Sequence, residues 1–83
     1  MIKTHYLKTR PDFFLASKIG KKAFELRKYD RDYEVGDTLI LQEYLFGMGP
    51  KDGYTGFELK REVTYVISEI PFVQEGYVCM SVI

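Results

Sequence analysis

The stretch FELKREVTYVI, residues 57–67, carries the clearest structural signal in the chain. Apolar side chains stand at every second position except Arg61, and charged or hydroxyl side chains alternate with them from Glu58 to Thr64. A period of two predicts a half-buried β-strand with one face in the core. Because Arg61 interrupts the apolar face, we expect a β-bulge or a functional opening at that residue.

Shorter patterns on either side of this strand predict four more strands. They cover residues 4–8, 23–27, 38–44 and 77–83, and a turn at residues 34–37 precedes the third of them. The chain between residues 47 and 56 is rich in glycine and also contains Pro50 and Asp52. This composition predicts a long loop that ends near Gly56.

One helix is predicted between the first two of these strands. It begins in Thr9-Arg10-Pro11-Asp12, where a hydroxyl near the cap, a proline in the first turn and an acid at the positive dipole end favour initiation. It continues through Ile19, with Leu15 and Ile19 on one face, and Gly20 is a natural stop.

These elements predict a mainly β (α+β) fold, a small β-barrel of five or six strands with one or two short helices. Closure would remove the exposed edges that a flat sheet of this size leaves, and an open α+β sheet is the alternative. A chain of 83 residues is long enough for one compact domain, residues 1–83. The aromatic residues assigned to packing are Phe14, Phe24, Phe57 and Tyr65.

Composition excludes several classes of protein. No stretch approaches the roughly 20 apolar residues of a membrane-spanning helix, so no membrane partner is expected. Cys79 is the one cysteine, which rules out an internal disulfide framework. The basic N-terminus is not followed by an apolar run, so no secretory signal is predicted and the expected location is cytoplasmic.

Charge is distributed unevenly along a chain whose formal net charge is zero. Residues 1–31 carry nine basic and three acidic side chains, a net charge of +6. Residues 32–83 carry three basic and nine acidic side chains, a net charge of −6. Either the first segment forms a positive face that attracts an anionic ligand, or the two halves pair in space and their fields cancel.

Residues 20–27, GKKAFELR, hold the candidate binding chemistry. Strand geometry places Glu25 and Arg27 on one face, opposite Phe24 and Leu26, and Lys22 comes just before them. A carboxylate between two cations stays ionised and positions them to bind phosphate, or it accepts hydrogen bonds from a base edge. The alternative is a solvated ladder of ion pairs on an exposed strand face.

Aromatic residues and one histidine complete the set of candidates. Tyrosines that can stack on a base are Tyr6, Tyr29, Tyr33, Tyr44 and Tyr54. Tyr54, in the glycine-rich loop, is the one we assign to a ligand. His5 is a candidate base or hydrogen-bond donor near a strand edge, although a single histidine is more often structural. One histidine and one cysteine cannot build a zinc site, so neither metal nor cofactor is expected.

The segment Gly20-x-Lys22-x-x-Glu25-x-Arg27 resembles the G-x-K-x-x-E-x-R signature of ASCH (activating signal cointegrator homology) domains, which belong to the PUA-like superfamily. The similarity runs from residue 5 to residue 83 and is closest to a small bacterial or phage branch. Further matching segments are His5-x-Leu7-Lys8, Pro11-Asp12-Phe13-Phe14, residues 30–39, Glu43-Tyr44, Tyr54-Thr55-Gly56, residues 63–66 and Gly76-Tyr77-Val78.

This resemblance implies a PUA-like β-barrel with a cleft between the helix and the barrel mouth, and RNA or a nucleotide as the ligand. Carried over by position, Lys22, Glu25 and Arg27 line the cleft, with Lys8 and Arg31 as companions. Some similar proteins are amidohydrolases of acetylated cytidine that use a Lys, a Thr and a Glu. Lys22 matches their lysine, but Glu25 stands in place of their threonine, and the segment with their glutamate is missing here.

Three functions remain, in this order. The first is an RNA- or nucleotide-binding domain with a basic cleft, which fits both the +6 segment and the resemblance. The second is an amidohydrolase of a modified nucleoside such as acetylcytidine. The third is an accessory module of a phage or its host that binds another protein through the acidic half. The sequence leaves the oligomeric state open.

Overall fold

The computed structural model describes residues 2–47, 49 and 53–83. Its elements are β1 (Thr4–Thr9), α1 (Pro11–Lys18), β2 (Phe24–Lys28), β3 (Thr38–Leu45), β4 (Gly53–Ile67) and β5 (Tyr77–Val82). The predicted strands and helix are confirmed to within about three residues, except that β4 begins before the expected loop end at Gly56. Pro50 and Asp52 of that loop lie outside the described residues.

The five strands form one mixed sheet in the order β1-β3-β4-β5-β2. β1 pairs in parallel with β3, and the other neighbouring pairs are antiparallel. Within the described residues β1 and β2 remain sheet edges, so the backbone ladder does not close. The fold is therefore a small, mainly β α+β domain with one helix, and its open mixed sheet matches the alternative rather than the closed barrel.

The core lies on one face of the sheet, and Phe14 of α1 and Tyr33 of the connection between β2 and β3 pack into it. Its buried apolar members are Leu7, Phe14, Tyr33, Leu39, Leu41, Val63, Val78, Met80 and Val82. The assignment of Phe14 to the core is confirmed. The assignments of Phe24, Phe57 and Tyr65 are wrong, because their exposed fractions are 47%, 66% and 62%.

A β-bulge in β4 explains part of this difference. Val63 pairs with Val82 and Tyr65 with Ser81, so Thr64 is an additional residue in the ladder. The extra residue reverses the faces beyond it, because strand side chains alternate. Val66 then packs against the core, whereas Tyr65 and Ile67 point outward. We expected the bulge at Arg61, but it lies three residues further along the strand, at Thr64.

Arg61 has a different role from the one expected. Its side chain is half-buried, and Nη2 donates a hydrogen bond of 2.8 Å to the carbonyl oxygen of Ser17, near the end of α1. The helix buries Phe14 and Ser17, so its inner face differs from the expected one, and Leu15 and Ile19 are exposed. Arg61 thus connects the central strand to the helix.

The ends of α1 are also explained by local geometry. Gly20 has φ of +82°, a conformation that glycine adopts without strain, which confirms the predicted stop. Arg10 rather than Thr9 is the N-cap residue, and the hydroxyl of Thr9 donates instead to the carbonyl oxygen of Leu7. Within the described residues, no helix combines the length and apolarity needed to cross a membrane.

Candidate functional site

A buried carboxylate lies at the centre of the candidate site. Glu25 is in edge strand β2, and its side chain points inward with 1% of its surface exposed. Lys22 Nζ lies 2.6 Å from Oε2, while Nε and Nη2 of Arg27 donate to Oε1 at 3.0 and 2.8 Å. The expected grouping of these three residues is confirmed. The alternative of a solvated ion-pair ladder is wrong, because the carboxylate is buried.

The end of α1 positions Lys22. The backbone N–H groups of Lys21 and Lys22 both donate to the carbonyl oxygen of Ala16 at 3.0 Å. These bonds hold the short connection against the helix, and Nζ of Lys22 also donates to the carbonyl oxygen of Phe24 at 2.8 Å. The ammonium group is therefore fixed from two directions rather than free to sample rotamers.

Arg27 joins the two edges of the sheet through its side chain. Nη1 donates to the carbonyl oxygen of Lys8 at 2.8 Å, and Nη2 donates to Oγ1 of Thr9 at 3.1 Å. Both acceptors belong to β1, at the opposite edge from β2. The planar guanidinium suits this arrangement because it presents several donors in fixed directions. The sheet is thus bridged by one side chain where its backbone ladder is open.

Two clefts meet at Arg27 and Lys8. One, of about 450 Å³, is the polar cleft; its lining is Tyr6, Leu7, Lys8, Arg27, Lys28, Asp30, Arg31, Tyr33 and Tyr54. The other, of about 420 Å³, is the aromatic cleft; its lining is Lys8, Thr9, Arg10, Phe13, Lys22, Phe24, Glu25, Leu26, Arg27 and Phe46. Each contains four cationic side chains and one acidic side chain. Six of the seven predicted site residues therefore line one cleft or both.

Cations lie close to aromatic rings in the aromatic cleft. Lys22 Nζ is 5.6 Å from the ring centre of Phe13 and 5.1 Å from that of Phe24. The Arg10 guanidinium is 4.2 Å from the ring centre of Phe13. Such a cleft offers stacking surfaces to a planar group and a positive environment to an anion.

Tyr54 lines the polar cleft from the beginning of β4, not from a loop. Its ring meets that of Tyr44 edge to face, with 4.9 Å between the ring centres. Lys8 Nζ lies 4.5 Å from the ring centre of Tyr44 and 5.9 Å from that of Tyr54. An ammonium beside two tyrosine rings marks this side of the cleft as suited to an anionic group with an adjoining base.

His5 lies outside both cleft linings. It is buried, its Nε2 is 2.7 Å from Oδ2 of Asp37, and its ring packs on Tyr33 with centres 4.7 Å apart. Asp37 also accepts backbone N–H groups of Lys3 and Glu34, each at 3.0 Å. Burial opposes ionisation of Asp37, but hydrogen bonds from His5 and the two backbone groups, with the nearby Lys3 ammonium, lower its pKa. His5 therefore helps to fasten β1 to the turn before β3.

The two oppositely charged halves of the sequence are not broadly paired. Within the part of the chain that the structure describes, Lys3 is the cation whose ion pairs cross from one half to the other, and His5 contacts Asp37 across the same boundary. The remaining pairs join Arg10 with Asp12, Lys22 and Arg27 with Glu25, and Arg31 with Asp30. Cross-pairing therefore does not cancel the positive charge around the clefts.

Sequence reasoning missed Thr9, Phe13 and Phe46 as cleft residues. Phe13 follows the Pro11-Asp12 helix start and Phe46 precedes Gly47, so each stands where an element begins or ends. Aromatic residues at such positions are signals of an open surface, but they are also common in cores. Among the described residues, no group of three or more His, Cys, Asp or Glu side chains could hold a metal ion.

Comparison with known proteins places this chain in a family. Residues 4–82 match the family described as Domain of unknown function (DUF3850). The chain belongs to the DUF3850 family. A relative in Escherichia phage P2, described as an uncharacterized 12.9 kDa protein in the GpA 3' region, is 41% identical over 66 residues. That alignment covers 80% of this chain and 56% of the relative, so this DUF3850 chain spans little more than half of the relative's length.

Proposed function

We propose that this DUF3850 domain binds RNA by holding one nucleotide across the polar and aromatic clefts. The observation that carries the proposal is that Lys8 and Arg27 line both clefts, so an anionic group at their junction can be flanked by a base. Affinity for RNA generally combines cationic contacts to phosphate with aromatic stacking of bases. Both components are present here at adjoining surfaces.

The aromatic cleft suits the base. The rings of Phe13 and Phe24 offer apolar contact on either side of Lys22. A carboxylate has about four lone-pair positions, and Lys22 and Arg27 occupy three of those on Glu25. Because Glu25 is only 1% exposed, it acts on a ligand through the two cations that it holds in place and not by direct contact with a base edge.

The polar cleft suits phosphate. Lys8, Lys28 and Arg31 line it together with Arg27, against the single acidic side chain of Asp30. Arginine matches phosphate oxygens with paired N–H donors, and lysine supplies a compact charge. The charge at this surface also attracts an anion from a distance.

The resemblance to ASCH domains supports the same site. Gly20 ends the helix, and the three charged residues of the signature, Lys22, Glu25 and Arg27, converge on one buried carboxylate. We therefore propose that the domain is a PUA-like fold whose barrel is completed by the side chain of Arg27 rather than by backbone pairing.

The test is fluorescence anisotropy of a short labelled single-stranded RNA, measured at several salt concentrations. Arg31→Glu reverses a charge in the polar cleft, and Lys60→Glu makes the same change at an exposed position of β4 outside both clefts. We expect Arg31→Glu to weaken binding about tenfold or more and to reduce the salt slope by about 0.7 per lost phosphate contact.

Lys60→Glu should retain nearly the wild-type affinity. Equal weakening by both variants would show that RNA responds only to net charge, and absence of binding by the wild type would reject the proposal. A parallel incubation with acetylcytidine is followed by mass spectrometry. Release of cytidine and acetate would replace the binding function with that of an amidohydrolase.

A further inference from the structure

We propose that the outward face of β2, β5 and β4 is an interface that packs against the same face of a second copy of this chain. We call this surface the outer face; it consists of the outward side chains of β2, β5 and residues 63–67 of β4, with Phe72 from the connection between β4 and β5. It lies on the opposite side of the sheet from the buried core. The inference does not rest on the proposed RNA binding, but Phe24, Leu26 and Lys28 also line the clefts, so a second copy and RNA would compete for these three side chains.

The strand registers define the outer face row by row. Phe24 of β2, Ser81 of β5 and Tyr65 of β4 form one row. Leu26, Cys79 and Ile67 form the next row. Phe72 adjoins the second row, because it lines a groove together with Leu26, Tyr77 and Cys79.

The outer face is apolar because the apolar residues of β2 and of the end of β4 alternate onto it. In β2 the inward side is occupied by Glu25 and Arg27, so the apolar alternates Phe24 and Leu26 point outward. In β4 the bulge turns Tyr65 and Ile67 to the same side. Two strands thus present regular apolar alternation on a surface that no other described element of this chain covers.

The patch is comparable in size to the largest apolar patch of an ordinary monomer, and such patches are often functional. If a whole Phe or Tyr side chain has about 200 Å² of surface, the exposed fractions of Phe24, Tyr65 and Phe72, which are 47%, 62% and 81%, leave roughly 380 Å² of aromatic surface. Leu26 and Ile67 enlarge it further. For comparison, the largest apolar patch of a monomer is about 300–600 Å², and a standard interface buries about 800 Å² on each partner. The patch would therefore form the apolar centre of such an interface and not the whole of it.

The arrangement of charges favours a second copy as the occupant. Where the three strands lie side by side, which is β2, β5 and residues 63–67 of β4, the outward side chains carry one charge, on Lys28 at the end of β2. The charged side chains of Glu58, Lys60 and Glu62 lie earlier in β4. Glu69 and Glu75 lie in the connection between β4 and β5, at the same end of the sheet. A two-fold axis parallel to β5 would place β2 of each copy over β4 of the other. Lys28 would then lie close to the acidic connection.

The same axis produces self-complementary apolar contacts. Phe24 of one copy would lie opposite Tyr65 of the other, and Leu26 opposite Ile67, because each pair shares a row. Sheets that pack face to face keep their strands within about 30° of each other, so the rows stay in register. Cys79, at the centre of the face, would lie close to its counterpart.

The first test is sedimentation velocity over a wide range of protein concentrations. Tyr65→Glu places a charge on the outer face, and Phe57→Glu makes a matched change at an equally exposed aromatic residue of the same strand. Neither residue lines a proposed RNA-binding cleft. The wild type should form a dimer, Tyr65→Glu should weaken dimerisation at least about tenfold, and Phe57→Glu should leave it unchanged.

The second test needs no substitution. Cys79 is partly exposed, so a short bismaleimide should link two wild-type chains into a covalent dimer through the single cysteine of the sequence. A wild-type protein that remains monomeric, or a dimer that neither cross-links nor responds to Tyr65→Glu, would overturn the proposal. A monomeric wild type would assign the outer face to a different occupant. If Tyr65→Glu lost the dimer but still bound RNA, the RNA-binding site would be shown not to require the dimer interface.

Discussion

Glu25 is buried, and Lys22 and Arg27 offset the cost of removing its carboxylate from water. An ionised carboxylate removed from water is costly unless it is paired and hydrogen-bonded. Here three donors reach its two oxygens, and the exposed fractions of the three side chains are 2%, 13% and 21% for Glu25, Lys22 and Arg27. The residues that we propose to contact RNA therefore also hold β2 in place.

Glu25→Gln should destabilise the fold. The amide keeps the shape of the side chain but leaves two cations without their carboxylate, and breaking a buried pair costs about 3 kcal/mol or more. Urea denaturation should show a loss of this size in the free energy of unfolding. Asp12→Asn is the control, since the Arg10–Asp12 pair is exposed and an exposed pair contributes at most about 1 kcal/mol.

Equal losses in the two variants would show that Glu25 contributes no more than a surface ion pair. The sequence predicts the grouping of Lys22, Glu25 and Arg27 but not its burial. Period-two alternation divides β2 into two faces but does not show which one is buried. Apolarity alone would place Phe24 and Leu26 inside, and the structure has them outside. The inward face is set by the hydrogen bonds of Arg27 to Lys8 and Thr9 on β1, which join distant parts of the chain.

At the scale of elements, the helix is joined to the sheet through Arg61. The side chain reaches from the middle of β4 to the carbonyl oxygen of Ser17, which also accepts the backbone N–H of Gly20 at 3.1 Å. The hydroxyl of Ser17 is buried and has no hydrogen-bond partner among the described residues. The guanidinium of Arg61 is therefore the polar connection between this end of α1 and β4.

Arg61→Met should destabilise the fold and loosen the last turn of α1. Methionine retains much of the apolar stem but removes a charged hydrogen bond, which contributes about 1.5 kcal/mol or more. We expect this loss in the free energy of unfolding, together with faster hydrogen exchange of the amides in the last turn of α1. Lys60→Met, at the neighbouring exposed position, should change stability by less than about 0.5 kcal/mol. Unchanged amide exchange in Arg61→Met would contradict the proposed connection.

The strand and helix order could be predicted because hydrophobic periodicity and glycine positions are local signals. The bulge at Thr64 could not, because Thr, Tyr, Val and Ile all favour strands and none of them marks an extra residue. Its register appears only when Val63 and Tyr65 are matched to Val82 and Ser81 of β5. The misplaced assignments of Tyr65 and Ile67 follow from this single unpredicted residue.

At the scale of the whole molecule, the open sheet is held together by side chains at two separate places. Arg27 bridges β2 and β1 at one of them. At the second place, Asp37 holds the N-terminal segment: it accepts hydrogen bonds from the backbone N–H groups of Lys3 and Glu34 and contacts His5. The strand count favoured a barrel closed by backbone pairing. The structure instead has side-chain contacts of Arg27 and Asp37, and the alternation of residues along a strand does not predict such contacts.

The second of these connections predicts how stability depends on pH. Burial disfavours the charged form of Asp37, but its hydrogen bonds outweigh that effect, so its folded pKa lies below its ordinary value of 3.8. A lowered folded pKa means that the stabilisation is complete above the unfolded pKa and disappears as pH falls through the folded pKa. Asp37→Asn should therefore be less stable than the wild type at neutral pH, and this difference should shrink below about pH 4.

The measurement is the free energy of unfolding by urea at a series of pH values from neutral to strongly acidic. Asp32→Asn is the matched control, because Asp32 is exposed and only approaches the Lys3 ammonium at 3.7 Å. Its stability profile should follow that of the wild type. If the gap between Asp37→Asn and the wild type stayed constant into strong acid, the ionisation of Asp37 would contribute nothing to the difference. The connection between β1 and the turn before β3 would then depend on hydrogen bonds that a protonated carboxyl group also makes and an amide does not.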